Sequence, residues 1–325
     1  MERFRGIGGC MTMKKYILVI AIFILILFLL PASGPAQKIE WNEFVWAEST
    51  IGDEYYNKAA ILVPFRFNGI EEEYYLQLDT GASSVLYGNS FYDIEPNYRV
   101  KKVKDKRPSI VSIDGTLSNY EFAYRDFGLL QDYGATLEEL KVAEYKLIGS
   151  LGLDFFKNRI LIIDFSEEKF AIFNNQNDVP RNIKKNSGFL DMKYKNDKIY
   201  LMSKIAGKDL SLIYDTGSSI FDIIATKEIW TSLTNVKSVK DIKLLEIPSW
   251  GAIVQLKGAR SESDWEIGDV TIEKPLIFYE PSGLENFNFK SIQADGLLGN
   301  AIFYDNHIIT IDLINKKFGI MEVEP

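Results

Sequence analysis

Short apolar runs bounded by Gly, Asn, Asp or Pro recur along this chain, at residues 60–67, 110–113, 199–205 and 276–279 among others. They are rich in β-branched and aromatic side chains and partly alternate with polar ones, the pattern of strands with at least one buried face. Helical periodicity is sparse, with residues 136–145 and 226–233 the best short candidates. The pattern predicts a mostly β fold.

The same signals appear twice in the same order, which points to an internal duplication. Leu76-Gln77-Leu78-Asp79-Thr80-Gly81-Ala82-Ser83-Ser84 is followed 70 residues later by Gly149-Ser150-Leu151-Gly152-Leu153-Asp154. Leu212-Ile213-Tyr214-Asp215-Thr216-Gly217-Ser218-Ser219 is followed by Asp295-Gly296-Leu297-Leu298-Gly299-Asn300. Further on, residues 160–173 (ILIIDFSEEKFAIF) and 308–321 (IITIDLINKKFGIM) both read as strand, tight turn, strand, with Asp164 and Asp312 in matching places. Residues 174–182 are polar and read as a linker. The expectation is two similar lobes, 37–178 and 179–325.

The N-terminus adds a targeting signal. Lys14 and Lys15 precede an apolar run over residues 16–30, and the small residues Gly34 and Ala36 suit cleavage before Gln37. Residues 1–36 therefore read as an export signal, which places the mature chain in the periplasm or outside the cell. A membrane-spanning helix wants about 20 residues, but residues 16–30 left uncleaved would act as an anchor. Cys10 lies on the wrong side of the run for lipid attachment.

Composition removes most alternatives. A chain of 325 residues, 46% hydrophobic and 13% aromatic, can fill a core in each lobe. Its net charge of -8, without a basic block, argues against nucleic acid as a partner. With one histidine, His307, and one cysteine, Cys10, a Ser-His-Asp or Cys-His site would need His307 itself, and zinc lacks its usual ligands. A single cysteine cannot form an internal disulfide. Carboxylate is what remains, and no cofactor is called for; the chain is expected to act as a monomer.

Two carboxylates held within a hydrogen bond of one another can hydrolyse a peptide bond unaided. Their like charges disfavour joint ionisation, so the pair keeps one shared proton; one member then acts as base toward water while the other polarises the carbonyl. That proton titrates with the pair. Apolar strands would deliver each Asp, Thr could bond between loops, and Gly would permit close backbone approach.

On these motifs the sequence resembles the pepsin-like and retropepsin-like aspartic proteases, over about residues 38–325. The resemblance implies Asp79 and Asp215 as the catalytic pair, supported by Thr80, Gly81, Thr216, Gly217 and Ser218. It implies that Leu147-Ile148-Gly149 and residues 295–299 thread beneath the catalytic loops, and that a cleft between the lobes takes a peptide or protein in extended form through strand-like bonds. Two departures stand out. The hairpin expected over residues 109–122, turning at Ile113-Asp114-Gly115, lacks the family's Tyr-Gly flap pair, leaving Asp114, Gly115 and Tyr120 or Tyr124 as stand-ins. Ala82 replaces a hydroxyl residue that the second loop keeps as Ser218, which should raise the pair's pKa and favour work at mildly acidic to near-neutral pH. The segment 37–56 is too short for a usual pepsin propeptide. A binding or inhibitor module for peptide or polysaccharide would keep the fold and drop catalysis. Among lesser features, Lys184 and Lys185 read as solvated, Glu71 to Glu73 as a turn, His307 as a strand residue without catalytic role, and Trp250-Gly251 as cleft lining or packing.

Overall fold

Alternating burial builds the strands that carry the two aspartates. In Tyr74–Leu78, Tyr74, Leu76 and Leu78 are buried while Tyr75 and Gln77 stay partly exposed, so the strand enters the core on one face only. Its counterpart Lys208–Tyr214 is buried through Leu212, Ile213 and Tyr214 just before Asp215. The computed structural model describes residues 39–94, 100–101, 109–249, 251–282 and 288–323. The export signal and anchor segment, Cys10 and Trp250 lie outside the described residues. Among those described, no helix is long and apolar enough to cross a membrane.

The architecture is mostly β and two-lobed, as the duplicated signals predict. In the first lobe, Tyr74–Leu78 pairs in parallel with Leu147–Leu151, which also pairs antiparallel with Val85–Tyr87. In the second, Lys208–Tyr214 pairs in parallel with Gly296–Leu298, which pairs antiparallel with Ile223–Ala225. Each returning strand is thus wedged between the strand entering an aspartate loop and the strand leaving it. The wedge requires glycine: a Cβ on Gly149 would fall 2.2 Å from the Val85 carbonyl oxygen, and one on Gly296 2.5 Å from that of Ile224.

A further sheet joins the lobes. The hairpin of Ile160–Asp164 and Lys169–Phe173 pairs antiparallel, through its first strand, with the first strand of the hairpin of His307–Asp312 and Lys317–Glu322. The matching aspartates cap their own turns. Asp164 Oδ1 accepts from the Ser166 hydroxyl and the Glu167 N–H, and Asp312 Oδ1 accepts from the N–H groups of Ile314 and Asn315. His307 starts its strand in this sheet and is buried.

Both helix candidates are present, each shortened to begin after a capping threonine: Leu137–Val142 after Thr136 and Lys227–Leu233 after Thr226. The stretch read as a linker is ordered as a 3-10 turn, Gln176–Asp178, followed by the helix Arg181–Asn186. The hairpin expected at residues 109–122 differs more. Its strands run Ser109–Leu117 and Tyr120–Leu130 and turn at Ser118-Asn119, with Ser118 at φ 52°. Gly115 sits within a strand, paired with Phe67, where a Cβ would fall 2.3 Å from the Arg66 carbonyl oxygen. It serves close strand approach, and no turn forms there.

Candidate active site

The two Asp-Thr-Gly loops meet tip to tip, locked through their threonines. Thr80 donates its N–H to Thr216 Oγ1 (2.9 Å) and its hydroxyl to the Tyr214 carbonyl (3.1 Å). Thr216 reciprocates, its N–H to Thr80 Oγ1 (2.9 Å) and its hydroxyl to the Leu78 carbonyl (2.8 Å). Both threonines are fully buried. Each lost hydroxyl would strand buried main-chain groups at a cost of about 1–3 kcal/mol.

The lock sets the carboxyl groups of Asp79 and Asp215 side by side, the Gly81 N–H lying within hydrogen-bond distance of an oxygen of each (3.0 and 3.1 Å). Glycine is needed beside each, because a Cβ on Gly81 would fall 2.3 Å from Asp215 Cγ and one on Gly217 2.6 Å from Asp79 Cγ. Each loop packs against the opposite aspartate. Main-chain bonds hold the aspartates to the returning strands, Asp79 N–H to the Leu151 carbonyl (3.0 Å) and Asp215 N–H to that of Leu298 (2.9 Å).

The surroundings of the two carboxyl groups differ. Asp215 accepts from the Gly217 N–H (2.8 Å), the Gly81 N–H (3.1 Å) and the Ser218 hydroxyl (3.1 Å). Asp79 accepts from the Gly81 N–H (3.0 Å), and Ala82 offers no hydroxyl. Burial above all, then the neighbouring Asp215, pushes the Asp79 carboxyl well above the usual carboxylate range, against a smaller opposing pull from the Gly81 N–H and the charge of Lys198. Asp79 is therefore the member suited to hold the shared proton.

The pair lies in the wall of a cavity of about 400 Å³. Gly81, Gly217 and Ser218 line it, with Tyr87 and Tyr133 from the first lobe and the hairpin residues Ile247, Pro248, Ser249 and Gly251 from the second. The Tyr87 and Tyr133 rings meet edge-on at 4.9 Å, and a Cβ on Gly251 would lie 3.9 Å from the Tyr133 ring. Asp114, Gly115 and Tyr120, the expected flap residues, do not line this cavity. Asp114 and Gly115 border a separate surface hollow with Asn68, because pairing with strand Glu54–Phe67 holds them to that side. The hairpin of Lys243–Ser249 and Ala252–Arg260 reaches the cavity instead. Lys198, Tyr87 and Tyr133 were not anticipated. The one local signal was Asn196-Asp197, a two-residue turn of the kind that fixes a hairpin just before Lys198. Among the described residues, no three of His, Cys, Asp or Glu gather closely enough to form a metal centre.

No protein-family model matches the sequence, and no curated protein does. Among solved structures, an aspartic proteinase from Irpex lacteus aligns at a TM-score of 0.46 and 11% identity, over 82% of this chain and 95% of the other. Conglutin gamma, a basic 7S globulin from lupine seeds, aligns at 0.47 and 11%, over 87% and 95%.

Proposed function

We propose that this chain is an exported aspartic endopeptidase, with lobes 37–178 and 179–325, which hydrolyses peptide bonds with water activated between Asp79 and Asp215. The observation that carries the reading is the pair of carboxyl groups brought to one shared Gly81 N–H by interlocked threonines in a cavity wall. In this mechanism a water bound between the carboxyls gives its proton to Asp215 as it attacks the carbonyl carbon, and the proton on Asp79 hydrogen-bonds the developing oxyanion. The leaving amine takes a proton from the pair as the carbon–nitrogen bond breaks. An extended substrate would bond its main chain to the loop edges.

The test is incubation of the full chain with a mixed peptide library, with and without pepstatin, beside Asp79→Asn and Asp215→Asn. Cleavage should fall by about 10²–10⁴-fold or more in either variant. Cleavage indifferent to both substitutions, or retained peptide binding without any cleavage, would defeat the reading.

A further inference from the structure

Lys198 is the one cation among the described residues lining the cavity, in a chain of net charge -8. Its position is built. The hairpin of Gly188–Lys195 and Lys198–Ile205 turns on Asn196 (φ 53°) and Asp197 (φ 54°), the twist that suits a two-residue hairpin. Asp197 is held by the Tyr194 hydroxyl at 2.7 Å, and Ile199 and Tyr200 beyond Lys198 are buried. The half-buried Lys198 then reaches across to the other lobe, where its ammonium donates to the Gly81 carbonyl, one residue beyond Thr80 in the catalytic loop.

That contact leaves the ammonium underused. It has three N–H donors, one of them on a neutral carbonyl, and among the described residues it forms no ion pair within 4.0 Å. Neither Asp79 nor Asp215 is its ion-pair partner at that distance. A bond from ammonium to carboxylate is roughly twice as strong as one between neutral groups, so an arriving carboxylate would outcompete the Gly81 carbonyl. The displaced carbonyl would become an acceptor for a main-chain N–H of the same ligand.

We propose that Lys198 is the specificity-determining residue of this site and receives a carboxylate on the peptide next to the bond held at Asp79 and Asp215. The carboxylate belongs to an Asp or Glu side chain or to a free chain end. The aromatic and aliphatic lining at Tyr87, Tyr133, Phe221, Ile247 and Phe289 leaves the rest of the peptide to apolar contacts. The inference rests on the peptide-binding part of the proposed function.

The experiment uses matched peptides carrying Glu, Gln or Lys at each position along an apolar sequence, each as free acid and as amide. Binding by fluorescence anisotropy and cleavage (KM and kcat separately) are read on the full chain, as wild type, Lys198→Met, Lys198→Arg and Lys198→Glu. At one position wild type should favour Glu over Gln by about 10-fold or more in Kd or KM. That ratio should collapse in Lys198→Met, survive in Lys198→Arg, and turn toward Lys-bearing peptides in Lys198→Glu. A preference that follows the free acid and disappears with the amide assigns the carboxylate to the chain end. A Glu-to-Gln ratio unchanged in Lys198→Met, or a loss shared equally by both peptides, overturns the inference. The binding arm reads Lys198 even if nothing is cut, whereas cleavage insensitive to Asp79→Asn counts against the catalytic reading alone.

Discussion

In the Asp79 loop the carboxyl accepts one N–H and sits beside an alanine, while in the Asp215 loop it accepts two N–H groups and a serine hydroxyl. The main chains of the two loops nevertheless repeat each other in the threonine lock and in the parallel pairing with a returning strand. Backbone geometry is held in common because a wedged strand and a facing glycine tolerate no added atom. The polar groups around each carboxyl are free of that constraint, and there the loops have parted. A pair with unequal members has a definite place for its proton, which two identical loops would leave undecided.

The shared part should be the more fragile. Gly81→Ala and Gly217→Ala each drive a Cβ into the opposite carboxyl, and each should cost about 10²-fold or more in kcat/KM through misplacement alone. Retained activity in either would mean that the loops are not geometrically equivalent. Thr80→Val and Thr216→Val should each destabilise by about 1–3 kcal/mol, and by similar amounts, in denaturant unfolding. A cost confined to one of them would break the symmetry of the lock.

The divergent part should show itself in pH dependence. Because Asp79 keeps its proton above the usual carboxylate range, the folded chain binds more protons than the unfolded one once pH rises past that range. The contribution of this group to stability is therefore undiminished at low pH and falls as pH climbs toward the raised folded value. Asp79→Asn removes that loss, so its melting temperature should exceed wild type by about 3 °C or more at neutral pH, with the gain gone near pH 4. An equal gain at both pH values would sever the effect from ionisation. Smallest is the tuning by hydroxyls. Ala82→Ser, which would offer Asp79 a hydroxyl, should move the alkaline limb of the kcat/KM profile down by about one pH unit or less. Movement upward would show that the hydroxyl acts on something other than the shared proton.

The duplicated loops, the returning strands and the joining hairpins were legible because each needs particular residues at fixed spacing, such as Gly149 and Gly296 where no Cβ fits. The first-lobe hairpin was misread for a related reason. Asp114-Gly115 has the composition of a turn, yet its glycine answers to the Arg66 carbonyl of a neighbouring strand, a contact between positions distant in sequence. The helix Gly88–Ile94 escaped notice because under two turns, with Ser90 and Phe91 buried side by side, show no period. Lys198, Tyr87 and Tyr133 share a cavity only after the lobes meet, so no window of sequence contains them together.

The sheet that joins the lobes has a self-complementary register. Ile160 lies opposite Asp312 and Asp164 opposite Ile308, with Ile162 and Thr310 at the centre, so each half offers the other the same edge, as the two subunits of an isologous dimer would. Such an interface asks nothing of a peptide link between the halves. What the link adds is freedom to differ: a half paired with its own copy would have to carry alanine or serine at both third positions, and a lysine on both sides of the cavity or on neither. One continuous chain can carry Ala82 with Ser218, and a single Lys198.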